Sequence, residues 1–415
     1  MELCNKVLAV LTTLCTLVSS LTAVYNESLY RDFERITVSV GVTEKGHSLK
    51  LSDRYDLDTL DSVLNHGEVK KITITLHLLR TEETIIFHLD FSPLILPKTL
   101  KVAYFKDNVY GSQASYKYID SNKFSCFYAD YGEQDQLLSH FELCNGGFEG
   151  EVLVGLNNTF LIKMIEGQDR QLSFSMVKKQ EVSPGKCGNA NSNFETLHRS
   201  IRSAREIHAP SFRNQTTRYI ELYVAVDNAL YIRSGKDITK TTQRVINIIN
   251  YASSLFLKMN IYLALVGTEI WSSGNKFNVT GAADTVLALF EQYRHDVISP
   301  LVPNDNANLF VAQRFYDSTV GQASASMCVS FGGCAATADH YVNDWIASAT
   351  TMVHEIGHNL GLAHDDDCVC PRLDEDDAKC IMNSKSVGMC FLIPYFIGLF
   401  AMQQFMNSDS NCFEN

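Results

Sequence analysis

The chain has 415 residues, 46% hydrophobic and 20% charged, with 23 Gly and 8 Pro, a balance that excludes disordered, collagen-like and low-complexity polymers. Lys plus Arg number 35 against 47 Asp plus Glu, a formal charge of −12. No basic block interleaves with aromatics, so nucleic acid is not expected as a partner. At about 100–200 residues per domain the length suits two or three domains, and the patterning described below resolves two.

Lys6 precedes the apolar run Val7 to Val18, and small residues follow from Ser19 to Ala23, which reads as a secretory signal peptide over 1–20. The run is too short to span a bilayer permanently. So is Phe391 to Met402, which Pro394 and Gly398 interrupt. The expectation is a secreted, extracellular protein with no membrane span in this chain. Twelve cysteines, ten once Cys4 and Cys15 leave with the signal, agree with an oxidising destination. Sequons at Asn26, Asn157, Asn214 and Asn278 agree as well.

From Val24 to about Ser183 the pattern favours strands. Ile72, Ile74, Leu76 and Leu78 alternate, and Thr84 to Leu89 follows a polar turn. Cys126 and Cys144 stand alone in this β-rich half, so a local bridge is the simplest pairing. Between Glu181 and Arg218 periodicity disappears into a polar linker that contains Cys187 and a basic run with Arg199, Arg202 and Arg205. The Arg199-x-x-Arg202 step suits cleavage by a processing protease in an exposed segment, and a merely solvated basic stretch is the alternative.

The second half alternates. Tyr219 to Val226 reads as a strand, and Val245, Ile248, Ile249, Ala252, Leu255 and Phe256 form one helical stripe. A strand over Ile261 to Gly267, a helix over Ala283 to Arg294, a strand over Asn308 to Ala312 and a helix over Ile346 to Leu362 follow. Such alternation predicts an α/β domain, with helices covering a mixed, mostly parallel sheet.

The last of those helices carries His354-Glu355-Ile356-Gly357-His358, followed by Gly361, His364 and Asp365. On a helix His354 and His358 are one turn apart on one face, so both imidazoles reach a single cation. Gly361 can take positive φ and let the chain turn back to deliver His364. Three histidines leave one position of a tetrahedral zinc open, which is a catalytic arrangement. Glu355, rotated away from the pair, is placed to act as general base for water in peptide hydrolysis. Met382, about 18 residues beyond His364, suits a turn beneath the site.

Residues 219–415 resemble the catalytic domain of the reprolysin (adamalysin) metzincins, the family of snake-venom metalloproteases and ADAM proteins. The marks are Arg218 to Leu222, Glu269 to Ser272, Gly321-Gln322-Ala323 through Met327-Cys328, the zinc motif ending in Asp365, Cys380-Ile381-Met382 and Cys412 to Asn415. The resemblance implies a metzincin-like catalytic domain over 206–415 with an irregular C-terminal subdomain. It also implies a β-rich propeptide over 21–205, which is similar to the family's most clearly at Lys186-Cys187-Gly188. In that family reading Cys187 occupies zinc's open position in the latent form, although an ordinary disulfide cysteine stays open. The same resemblance implies the pairs Cys328–Cys412, Cys368–Cys390 and Cys370–Cys380, and leaves Cys334 as a free buried thiol or an intermolecular partner. It implies a structural calcium on Glu221, Asp305, Cys412 and Asn415, beside one catalytic Zn2+. Substrates would be extracellular proteins or peptides, bound as an extended strand along the edge near Gly321 to Met327. A catalytically silent binding or adhesion protein is the rival reading. The apolar run from Phe391 departs from the family pattern. The chain stops at Asn415, where ADAM proteins continue, so a short form and a longer parent are both open.

Overall fold

The computed structural model describes residues 33–178, 185–187 and 217–386, apart from short internal stretches and residues 365–380. The expected signal peptide, Cys144, Arg199, Arg202, Arg205, Cys328, Cys368, Cys370, Cys380, Cys390, Cys412 and Asn415 lie outside the described residues, as do Asp365 and the run from Phe391.

The first half is almost entirely strands. In chain order they are β1 (Phe33–Val42), β2 (His47–Leu51), β3 (Lys71–Leu78), β4 (Thr84–Phe91), β5 (Thr99–Asn108), β6 (Gly111–Asp120), β7 (Phe127–Tyr131), β8 (Leu137–Glu142), β9 (Glu149–Val154), β10 (Asn158–Glu166) and β11 (Leu172–Lys178). Helix α1 (Arg54–Leu64) lies between β2 and β3. In β3 the alternation puts Ile72, Ile74, Leu76 and Leu78 inside, as a period of two requires. Nine strands form one sheet in the order β11-β10-β9-β8-β7-β4-β3-β1-β2, and β1 also pairs with β11. Closure on itself removes the exposed edges that an open antiparallel sheet would present.

The short strand β12 (Gly185–Cys187) precedes the second half, which holds β13 (Arg218–Val226), β14 (Ile261–Ile270), β15 (Asn306–Val311), β16 (Thr319–Ala323), β17 (Cys334–Ala338) and β18 (Lys385–Ser386). Its larger helices are α2 (Asn228–Arg233), α3 (Ile238–Phe256), α4 (Ala283–Tyr293) and α5 (Trp345–Asn359). Strands β14, β13, β15 and β17 run parallel, and β16 closes that series antiparallel to β17. The stripe on α3 is buried as expected, and Asp237 caps its start by accepting from the amides of Thr239 at 2.7 Å and Lys240 at 3.2 Å.

The first half completes one end of this second sheet, and at the other β12 lies between β16 and the terminal β18, which runs antiparallel to it. Beyond β14 lies β5, parallel to it with Thr268 opposite Val102, and then its hairpin partner β6. Ile95 extends the contact, its carbonyl accepting from the Leu265 amide at 3.1 Å. At the other end β12 pairs in parallel with β16, placing Cys187 opposite Gly321. An edge left bare would expose a row of backbone donors and acceptors; the hairpin covers that of β14 and β12 that of β16. Leu100, Val102 and Phe127 consequently share one buried cluster with Ile220, Ile248 and Ile356.

Candidate active site

Helix α5 forms because Trp345, Ile346, Ala349, Met352, Val353 and Ile356 recur at helical spacing and pack into the core beneath α3 and the sheet. Its last turn bears the histidines. His354 and His358 bring their Nε2 atoms to 3.0 Å of each other. The helix ends at Asn359 and Gly361 takes φ +83°, the left-handed conformation a side chain resists. The reversal brings His364 Nε2 to 3.1 Å from His358 Nε2. Among the described residues, these three form the one group of His, Cys, Asp or Glu side chains gathered closely enough to hold a metal ion.

The outer ring nitrogens decide what the inner ones can do. His354 Nδ1 lies 2.5 Å from the Ile381 carbonyl, and His358 Nδ1 lies 2.8 Å from that of Leu362. A carbonyl only accepts, so each Nδ1 carries the proton and each Nε2 keeps its lone pair. Two such lone pairs aimed at one another repel, and a cation between them turns repulsion into ligation. An ion with bonds of about 2 Å in tetrahedral array holds its donors a little over 3 Å apart, so the donor set fits zinc. The carbonyls of Ile381 and Leu362 are the outer partners that orient metal-binding imidazoles. Burial first, and then the charge of His364, pushes His354 down to about 4. Burial first, and then the charges of His354 and His364, hold His358 well below its ordinary value, so both rings are neutral at physiological pH.

Glu355 is fully buried, 0% exposed, between α5 and β16. The space for it exists because position 321 has no side chain. A Cβ built on Gly321 would stand 2.2 Å from Glu355 Oε1 and 2.7 Å from Thr351 Cγ2. Gly321 was one of the resemblance marks, but nothing in its local pattern reveals that it makes room for a carboxylate. Met382, 1% exposed, lies under the helix where the chain passes closest, since a Cβ on Gly357 would meet its Sδ at 2.6 Å. Its neighbour Ile381 is the residue that orients His354, so the turn both supports the helix and fixes that imidazole.

Away from this centre, Glu221 and Asp305 come together. The Glu221 amide donates to Asp305 Oδ2 at 2.8 Å, and the Asp305 amide donates to the Glu221 carbonyl at 2.9 Å. Burial, opposed by the Glu221 amide and reinforced by the Glu221 carboxylate, raises Asp305 to about 6. Cys126 is disulfide-bonded. Cys334 is free and buried, with its Sγ 3.3 Å from the Gly332 carbonyl, the bland alternative of the sequence reading. Asn278 is exposed and its Oδ1 accepts from the Thr280 amide at 2.9 Å.

Residues 218–396 match the profile of the Reprolysin (M12B) family zinc metalloproteases. The chain is 29% identical over 272 residues to the snake venom metalloproteinase-disintegrin-like mocarhagin of Naja mossambica, covering 63% of this chain and 43% of that protein. It is 33% identical over 218 residues to the zinc metalloproteinase-disintegrin-like atrase-B of Naja atra, covering 52% and 36%. The chain therefore spans about two fifths of the length of the curated relatives it matches. A solved metalloproteinase-II from Bacteroides fragilis superposes with a TM-score of 0.44 at 12% identity, over 83% of this chain and 94% of that one.

Proposed function

We propose that this chain, whose second half is of the reprolysin zinc-metalloprotease type, is a latent secreted endopeptidase. The observation that carries the reading is the convergence of three imidazoles beside a buried glutamate, with Nε2 atoms 3.0 and 3.1 Å apart. His354, His358 and His364 would hold one zinc ion, which supplies a Lewis acid for the peptide carbonyl and lowers the pKa of water. Glu355 takes the proton from the attacking water and returns it to the leaving amine. Gly321 and Thr351 fix where that carboxylate can stand. The substrate strand would lie along β16, the edge already able to pair with β12. That mocarhagin is named a snake venom protein favours an extracellular setting, and among the described residues no helix is long and apolar enough to cross a membrane. The silent adhesion alternative loses ground because all four chemical residues are present.

Latency is supported by β12. Its backbone takes the edge position on β16 with Cys187 opposite Gly321, the residue that abuts Glu355. A thiolate from Cys187 would displace water from the metal and so silence the base. The uncut chain is expected to be inactive on a peptide library, and the Cys187→Ala chain to cleave it before any processing, in a chelator-sensitive way. Zinc absorption spectroscopy on the uncut wild type should show three nitrogens and one sulfur. A shell without sulfur sinks the switch, and a linker-cut chain that hydrolyses nothing sinks the protease reading. Processing would fall at Arg199 to Arg202 or after Arg205.

We also read Glu221 and Asp305 as half of a calcium site completed by Cys412 and Asn415. Oxygen donors from distant segments suit a hard cation, and bound calcium would tie the chain's end to the first strand of this half. Millimolar calcium is expected to raise the melting temperature of the parent by several degrees and that of Glu221→Ala by about none, with zinc content equal in both. Equal calcium shifts in parent and variant would dismiss the site.

A further inference from the structure

Where the closed first-half sheet meets the helices of the second half, the contact is unusually rich in buried acids. Glu142 on β8 accepts from Gln243 of α3 at 2.8 Å and from Asn247 of the same helix. Glu151 on β9 accepts from the Tyr251 hydroxyl at 3.0 Å, and Glu149 lies 3.3 Å from Trp345 Nε1, at the first residue of the zinc helix. Between them His140 shares a 3.0 Å hydrogen bond with Asn250 and meets the rings of Tyr251 and Trp345 edge-on. Glu142, Glu151 and His140 are all nearly inaccessible.

We propose that this seam is a proton-dependent latch, through which residues 33–178 remain a bound partner of the catalytic half after the linker is cut and part from it as Glu142 ionises. It rests on reading the segment between Glu181 and Arg218 as a cleavable linker. The surface is large enough to outlast the cut, because it includes the β5–β14 pairing and a shared apolar cluster. Cutting a tether lowers effective concentration and leaves every contact in place.

The seam is poised by its charges. The group facing Glu142 across the sheet is Glu149, its register partner, and like charges directly opposite one another repel. On its other neighbour, β7, Phe127 stands opposite. Helix α3 presents the amides of Gln243 and Asn247, and its cation Arg244 is held by Asp339 at 2.6 Å. Burial, then the charge of Glu149, raises Glu142 to about 8. An acid whose pKa is raised in the bound state takes up a proton on association. Binding is then strongest below the ordinary carboxylate range and weakens as pH rises toward 8. His140 has the opposite sign. Burial lowers it to about 4, against the amide of Asn250, so its protonation opposes binding only below its ordinary value near 6.5. The two effects offset each other between roughly pH 4.5 and 6.5, and above that window only Glu142 acts. The halves are thus held in a mildly acidic compartment and loosened in a neutral or alkaline one.

The test uses the full chain with a site-specific protease site in the linker, in a Glu355→Gln background so that self-digestion plays no part. After cutting, sedimentation velocity over a dilution series should show the halves together at pH 6.5, with Kd rising about tenfold by pH 8.0, one proton per complex. Glu142→Gln should bind at pH 6.5 and lose that rise. If separated halves do not stay folded, urea unfolding of the uncut chain carries the same test. The unfolding constant of the wild type should rise about tenfold over that pH range relative to Glu142→Gln. Halves that separate at every pH, or a Glu142→Gln chain that keeps the slope, overturn the latch. None of these readouts depends on protease activity. Whether the natural linker is cut is read separately, from the N-terminus of the secreted protein.

Discussion

Replacing Glu355 with Gln is expected to lower peptide hydrolysis by the linker-cut protein about 10³-fold while one zinc stays bound, because a general base is worth roughly 10²–10⁴ in rate. The amide has the carboxylate's shape and fits the same gap against Gly321 and Thr351, but it cannot accept the water's proton. The three imidazoles and the carbonyls of Ile381 and Leu362 that orient two of them are untouched. Turnover and zinc content measured on the same sample decide the matter. Unchanged turnover removes Glu355 from the mechanism, whereas loss of zinc along with activity would mean that the end of α5 had shifted.

The Gly321→Ala chain should be nearly as impaired, for a reason that has nothing to do with chemistry at position 321. The added methyl would stand 2.2 Å from Glu355 Oε1 and 2.8 Å from its Cδ, closer than a non-bonded Cβ can approach either atom. Either the carboxylate swings away or β16 moves off the helix. Displacing a catalytic group by about 1 Å costs on the order of 10²-fold. A swung carboxylate lowers kcat with KM and zinc content preserved, and a displaced β16 raises KM, since that edge is where substrate would pair. A variant with wild-type kcat and KM would show that the close approach of β16 to Glu355 has no part in catalysis.

The chemistry was legible in the sequence because its determinants are local. His354 and His358 are one helical turn apart, Gly361 is the residue that can reverse the chain, and His364 follows at once. Such short spacings translate directly into geometry. The strands of β3 and the stripe of α3 were legible for the same reason, since periodicity states which face is buried. It does not state what that face is buried against. That residues 99–120 complete the catalytic sheet, that β12 covers the β16 edge, and that Glu142 and Glu149 are shut against α3 and α5 are contacts between residues far apart in the chain. Nor did the sequence show that Gly321 makes room for the Glu355 carboxylate. By itself the sequence determined the strongly periodic elements and the clustering of His354, His358 and His364 beside Glu355. Only the tertiary structure decided which elements meet, because non-local pairing depends on which exposed edges and apolar faces remain to be covered once the local structure has formed.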